Sequence, residues 1–190
     1  AVRLRFPPTV FRQANLDAFA RIVAHVRRRL AEYVAARGAK PACVELYGGV
    51  GTIGLHLADL CASLVSSDEN PFNVDCFNAT ASQLRKKVRR RVSYVPKNAA
   101  DMAQAGALTD AEVCVVDPPR KGLEPEVVAA LNQGQRLRLL VYVSCGFSAF
   151  QRDCRALLAG ENQWRLEHAE GHILFPGADA IETLAFFVRE

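Results

Sequence analysis

The 190-residue sequence contains no apolar run approaching the roughly 18 residues that a membrane-spanning helix needs, which excludes a spanning helix. It has no pair of cysteines at the C-x-x-C spacing of a zinc ribbon or redox centre, so no metal is expected. Its six cysteines, at 43, 61, 76, 114, 145 and 154, suggest no disulfide framework and fit a reducing intracellular compartment: cytoplasm, nucleus or organelle matrix. Internal repeats, low-complexity tracts and obvious linkers are missing too. The first residues, Ala1-Val2-Arg3-Leu4-Arg5, lack both an initiator Met and the apolar core of a signal peptide, and read as the start of a chain already cut. Net charge is only +4, but it is unevenly spread. Arg27-Arg28-Arg29 and the stretch from Arg85 to Arg91 concentrate positive charge of the kind that attracts phosphate backbones or simply covers a solvated helix face.

What is present is an alternation of strands and helices. Leu16, Phe19, Ile22, Val23, Val26 and Leu30 mark a helix capped by Asn15 and ended by Gly38 and Pro41. Strands are expected at Ala42–Tyr47, Ser63–Ser67, Val92–Val95, Val113–Asp117 and Leu139–Ser144. Helices are expected from the glycine turn through Ala58, from about Pro71 to Arg85, at Pro125–Gln133 and at Ala149–Ala159. Two late strands, near Trp164–Ile173 and Thr183–Val188, read as a closing antiparallel pair. Near-continuous apolar strands between helices predict an α/β fold with a doubly wound, mostly parallel, Rossmann-like sheet. Residues 1–40 read as an arm and helix packed on a core of residues 41–190, and Arg3–Gln13 as an appended arm the core does not need.

The first strand leads into Gly48-Gly49-Val50-Gly51-Thr52-Ile53-Gly54, where Gly49, Gly51 and Gly54 fit the fingerprint of a turn that lets a ligand approach the backbone. The second strand ends in Asp68-Glu69-Asn70-Pro71. Either acid can accept hydrogen bonds from a nucleoside's ribose hydroxyls or cap the next helix, and the Asn-Pro helix start favours Asp68. These two features do not separate NAD from S-adenosylmethionine. The fourth strand does, because it ends in Asp117-Pro118-Pro119-Arg120-Lys121-Gly122, a rigid polar loop beside the reactive end of a cofactor that suits methyl transfer to a base.

That loop resembles the Asp-Pro-Pro-Arg-x-Gly motif of the RNA uridine-5-methyltransferases. Four further segments are similar to that family in order: Phe11-Arg12-Gln13-Ala14-Asn15, the glycine motif from Glu45 to Gly54, Val141-Tyr142-Val143-Ser144-Cys145, and Phe175-Pro176 through Ile181-Glu182-Thr183. The resemblance spans nearly the whole chain. It implies a Rossmann-like class I methyltransferase that uses S-adenosylmethionine to methylate carbon 5 of a uridine in tRNA or rRNA. Cys145 is then the nucleophile, at a strand end beside Gly146. Glu182 is the proton acceptor, a role the resemblance alone supplies. Asp117 lies between cofactor and base, and Arg120 orients the ring or a phosphate. Cofactor contacts fall on Gln13, Tyr47, Gly49, Gly51, Thr52, Asp68, Asn98 and Asp117.

Two positions depart from the family pattern. Ser-Cys-Asn-Pro is here Ser144-Cys145-Gly146-Phe147, and the His that often stands two residues before the Glu is Ala180. The β-barrel RNA-binding domain that often precedes the catalytic domain is absent, as is an iron–sulfur cysteine cluster. Two other readings remain: a methyltransferase acting on a nitrogen of a base or protein without a Cys nucleophile, and a non-catalytic RNA-binding factor of the same fold. A 5-methylcytidine enzyme fits less well, since that group carries a Cys in the fourth-strand loop.

Overall fold

The computed structural model describes residues 2–8, 15–160, 164–174, 177 and 181–190. Seven strands form one sheet in the order β3-β2-β1-β4-β5-β7-β6. They are β1 (Ala42–Leu46), β2 (Ser63–Ser67), β3 (Val92–Val95), β4 (Val113–Val116), β5 (Leu139–Ser144), β6 (Arg165–His172) and β7 (Glu182–Val188). The first five run parallel, and β7 enters antiparallel to both β5 and β6. The expected doubly wound sheet with an antiparallel closing pair is therefore present.

Each central strand is apolar on both faces because both are covered. Along β5, Leu139, Val141 and Val143 point to the layer formed by α1 (Leu16–Arg37) and α2 (Gly54–Leu57). Leu140 and Tyr142 point to the layer formed by α5 (Ala99–Gln104), α6 (Pro125–Gln133) and α7 (Phe147–Leu158). Helix α1 begins as expected, with the Asn15 side chain accepting from the Ala18 amide, and ends on Gly38 in the left-handed region. It buries Ala18, Phe19, Ile22, Val23, Val26, Leu30 and Tyr33 against the sheet.

The structure corrects two expectations. The helix expected from Pro71 to Arg85 is two: α3 (Asn73–Ala81), a turn, and the single-turn α4 (Lys86–Arg89). Helix α5 was not anticipated. Its cap is Asn98, whose side chain accepts from the Asp101 amide. Residues 2–8 of the arm lie against the core. They lie along α3, with the Arg3 amide donating to Gln83 Oε1, Gln83 Nε2 donating back to the Arg3 carbonyl, and the Arg5 amide donating to Thr80 Oγ1. Leu4 packs against the cluster of Leu55, Phe77 and Ala81, while Arg3 and Arg5 face solvent.

Candidate active site

In a doubly wound sheet the chain reverses its winding direction between two central strands, and a crevice opens beyond their carboxyl ends. Here those strands are β1 and β4. The cleft at their ends has a volume of about 910 Å³. Among its lining residues are Tyr47 and Gly49 after β1, Thr52 in the glycine turn, Asp68 after β2, Asn98 before α5, Asp117 and Arg120 after β4, Cys145 after β5, and Glu182 at the start of β7. One cleft therefore brings together nine residues singled out in the sequence. Gly51 does not line it. A side chain there would put its Cβ 2.7 Å from the Phe77 ring, and its φ of +79° suits glycine, so its place is under the turn. Gln13 lies outside the described residues, as do Phe175, Pro176 and Ala180.

The glycine turn is fastened from below by Glu45. This buried carboxylate accepts from the Gly54 amide at 2.7 Å, the Ile53 amide at 3.2 Å and Ser66 Oγ at 2.6 Å. Burial raises its pKa, and these donors offset only part of the effect. Asp68 ties the top of the turn to the second strand. It accepts from the Gly49 amide at 3.0 Å, the Asn70 amide at 3.0 Å and Asn73 Nδ2 at 3.1 Å. Asn73 is itself buried in the cleft wall, and its Oδ1 has no well-formed hydrogen bond. A ligand with vicinal hydroxyls would find acceptors in Asp68 and in this orphaned oxygen. The residues thus fit a nucleoside cofactor.

The loop after β4 is held rigid from several sides. Pro118 and Pro119 have no amide to continue the ladder. Asp153, buried in α7, accepts from the Leu123 amide at 2.8 Å and from the Tyr142 hydroxyl at 2.7 Å. Glu124 accepts from the Tyr47 hydroxyl and pairs with Lys121 at 2.9 Å. Glu45, Glu124 and Asp153 are functional supports that sequence reasoning missed. Only Glu45 carried a signal, as an acid inside an otherwise apolar strand.

Strand register explains why Cys145 and Glu182 meet. Ser144 pairs with Thr183 across the antiparallel β5–β7 ladder, so the next residue outward on each strand is Cys145 and Glu182. Cys145 is half-buried. Burial, then the charges of Glu182 and Asp117, push its thiol pKa up, while Arg120 pulls the other way. Glu182 is 5% exposed, and its Oε1 is buried without a hydrogen-bond partner. Desolvation pushes its pKa up to about 7. Asp117 keeps some surface open to the cleft yet is packed deeply on its other sides. Burial first, then Glu182 and Glu45, hold its pKa well above the usual carboxylate range.

Gly146, one of the two family departures, has an ordinary extended backbone with φ −127°. Its small size matters for a different reason: a Cβ there would lie 2.5 Å from the Arg120 carbonyl oxygen. Phe147 takes the first position of α7, where proline is also favoured. Gly146→Ala is expected to push the Asp-Pro-Pro loop away from Cys145 and to cost about 1–3 kcal/mol of stability. Thermal melting and a methyl-transfer rate measured together would check it, and an unchanged rate would show that the close approach is not needed.

The basic clusters are less available than expected. Arg27 is bound to Asp59 through two short hydrogen bonds, and Arg29 pairs with Glu167. The Arg85–Arg90 stretch is largely exposed, but it precedes β3, and Arg91 reaches the Cys61 carbonyl just before β2. It therefore lies at the opposite end of the strands from the cleft.

The sheet order, the glycine turn with its acid-tipped second strand, and the Asp-Pro-Pro loop define a methyltransferase of the Rossmann-like class. The fold is shared with the crystal structure of Pyrococcus abyssi tRNA (uracil-54, C5)-methyltransferase in complex with S-adenosyl-L-homocysteine. The TM-score is 0.72 at 24% identity, over 95% of this chain and 41% of that one. No protein-family model matches. In sequence, the chain is 34% identical over 99% of its length to an uncharacterized RNA methyltransferase of Protochlamydia amoebophila, covering 46% of that protein. It is also 34% identical, over 99% of its length, to the 23S rRNA (uracil(1939)-C(5))-methyltransferase of Acidithiobacillus ferrooxidans, covering 41% of it. The chain belongs to this family of RNA methyltransferases, and it spans less than half the length of these relatives.

Proposed function

We propose that this chain is the catalytic portion of an enzyme that transfers a methyl group from S-adenosylmethionine to carbon 5 of a uridine in tRNA or rRNA, through a covalent Cys145–uracil adduct. The observation that supports this most is the pairing, at one strand edge, of a half-buried thiol with a buried, unpartnered carboxylate whose pKa is about 7. Nitrogen methylation needs neither group.

Carbon 5 of uracil is a poor nucleophile. Addition of the Cys145 sulfur to carbon 6 forms a C–S bond and moves the ring π electrons toward the carbon 4 oxygen, leaving carbon 5 electron-rich. Asp117, with its raised pKa, keeps its proton further toward neutrality than an ordinary carboxylic acid and can donate it as a hydrogen bond to that oxygen. S-adenosylmethionine, when bound, supplies the electrophilic methyl group. Asp68, Tyr47, Gly49, Thr52 and Asn98, which line the cleft, are the residues that would hold it. Glu182 then takes the proton from carbon 5. The electron pair left behind restores the ring double bond and expels the Cys145 thiolate. A stacked uridine cannot present carbon 6 to a thiol, so the base must be flipped out, at a cost of a few kcal/mol. Arg120 and Lys121 line the cleft and are the cations that could meet its phosphates.

The test is incubation with total RNA lacking 5-methyluridine and a labelled methyl donor, alongside RNA carrying 5-fluorouridine. Label recovered as 5-methyluridine, together with a denaturant-stable protein–fluorouridine complex, is the expected result. Label on a ring nitrogen with no trapped complex would overturn the thiolate mechanism. Donor binding without transfer to any RNA would favour a non-catalytic RNA-binding role.

A further inference from the structure

Three of the chain's four histidines converge on one carboxylate, away from the cleft described above. His25 projects from α1. His168, Glu170 and His172 alternate along β6, past a bulge between Leu166 and His168, so they share one face of the edge strand. His25 Nδ1 lies 2.6 Å from Glu170 Oε1, and His172 Nε2 lies 3.0 Å from the same oxygen. His168 Nε2 pairs with Glu170 Oε2 at 3.2 Å, but outside good hydrogen-bonding geometry. The rings are held in place: His25 meets His168 edge-on at 5.2 Å, and His168 stacks on Phe186 at 5.8 Å.

Hydrogen bonding alone accounts for His25 and His172. It does not account for His168, whose Nε2 reaches the same carboxylate only as an ion pair without good hydrogen-bond geometry. A shared cation does. One donor atom each from His25, His168 and Glu170 all lie within 4.8 Å of one another. Tetrahedral coordination at bond lengths of about 2.0–2.1 Å places donors about 3.3 Å apart, which small rotations of these side chains would achieve. Two imidazoles and one carboxylate suit a borderline transition ion and not calcium or magnesium, which prefer oxygen. We propose that His25, His168 and Glu170 form a binding site for a divalent transition ion of the zinc type, with His172 orienting the carboxylate from behind.

The site would clip α1 to the edge strand of the sheet. The first turns of α1 carry Leu16 and Phe19, which line the cleft, so the clip steadies that wall. Sequence spacing gives no hint of it, because His25 and Glu170 stand 145 positions apart.

Cobalt(II) is the probe, since its spectrum separates imidazole and carboxylate ligands from thiolates, and this chain has six free cysteines. Titration of the full chain should give one saturable Co²⁺ site with ligand-field bands and no thiolate charge-transfer band. His168→Gln and Glu170→Gln should each weaken it at least about tenfold, while His56→Gln should not. Zinc should raise the melting temperature of the parent protein but of neither weakened variant. Circular dichroism would confirm that the variants fold; if His168→Gln does not, His25→Gln takes its place. Lack of saturable binding, a thiolate band, or affinity unchanged in the folded variants would overturn the proposal.

Discussion

Cys145→Ala should abolish methyl transfer and fluorouridine trapping, yet leave S-adenosylmethionine binding and the folding midpoint close to those of the parent protein. The side chain is half-buried at a strand end, not packed in the core, so little stability is lost with its sulfur. The pH dependence gives a second check. Burial and the charges of Glu182 and Asp117 raise the thiol pKa, so the nucleophilic thiolate is scarce at neutral pH and grows as pH rises. Glu182, with a pKa of about 7, must also be ionised to accept a proton. Both requirements point the same way. Between pH 6 and pH 8 the ionised fraction of Glu182 alone rises about tenfold, and kcat/KM should rise with it until loss of the Asp117 proton bends the profile over. Single-turnover assays across that range would measure it. A profile with no rising limb on the acid side would contradict both assignments. Residual methylation by Cys145→Ala at more than a trace level would show that sulfur does not add to the ring.

How much of this was legible in the sequence follows from where each residue sits. Tyr47, Asp68, Asp117 and Cys145 each follow an apolar strand. In a parallel sheet every such position falls on the same edge, so period and order were enough to bring them together. Glu182 was harder, because it begins a strand instead of ending one. Only the antiparallel entry of β7 brings its first residue to that edge, and the family resemblance identified it before the register explained it. The supports were not legible. Glu124 stands just before α6 and Asp153 lies on α7 among other polar residues, and nothing local shows that one receives the Tyr47 hydroxyl and the other the Leu123 amide. Helix α5 escaped notice because its six residues carry little apolar period and because Asn98, read as a ligand contact, is also its cap. The expected long helix over residues 71–85 failed at Ser82–Leu84, where the chain turns on hydrogen bonds back to Asn78, Thr80 and Ala81. Charge runs proved the least informative feature. Arg27 and Arg29 could be read as phosphate ligands or as a solvated helix face, and are ion-paired to Asp59 and Glu167.

Glu182→Gln should make the protein more stable at pH 8 while slowing turnover by about 10²–10⁴-fold. A carboxyl group whose pKa is near 7 when folded and near 4.5 when unfolded holds its proton more tightly in the folded state. Folding is therefore not penalised below about pH 4.5. The penalty grows as pH rises from there to 7 and is complete above 7, where it amounts to about 3 kcal/mol. Glutamine has the same shape and no charge, so the variant escapes the penalty. Its stability advantage should vanish near pH 4.5 and reach that order at pH 8, as read from urea unfolding at the two pH values. The chemical consequence is opposite in sign. With the thiol intact, addition to carbon 6 and methyl transfer to carbon 5 can still occur, but no carboxylate remains to remove the carbon 5 proton. The methylated adduct should then persist, and a covalent protein–RNA complex should accumulate with ordinary uridine RNA, which the parent protein would release. A variant that is both less stable at pH 8 and free of trapped RNA would show that Glu182 is a structural carboxylate and not the base. The paired gain and loss are the signature of a group kept desolvated and unpartnered for its reaction, at the expense of the fold that holds it.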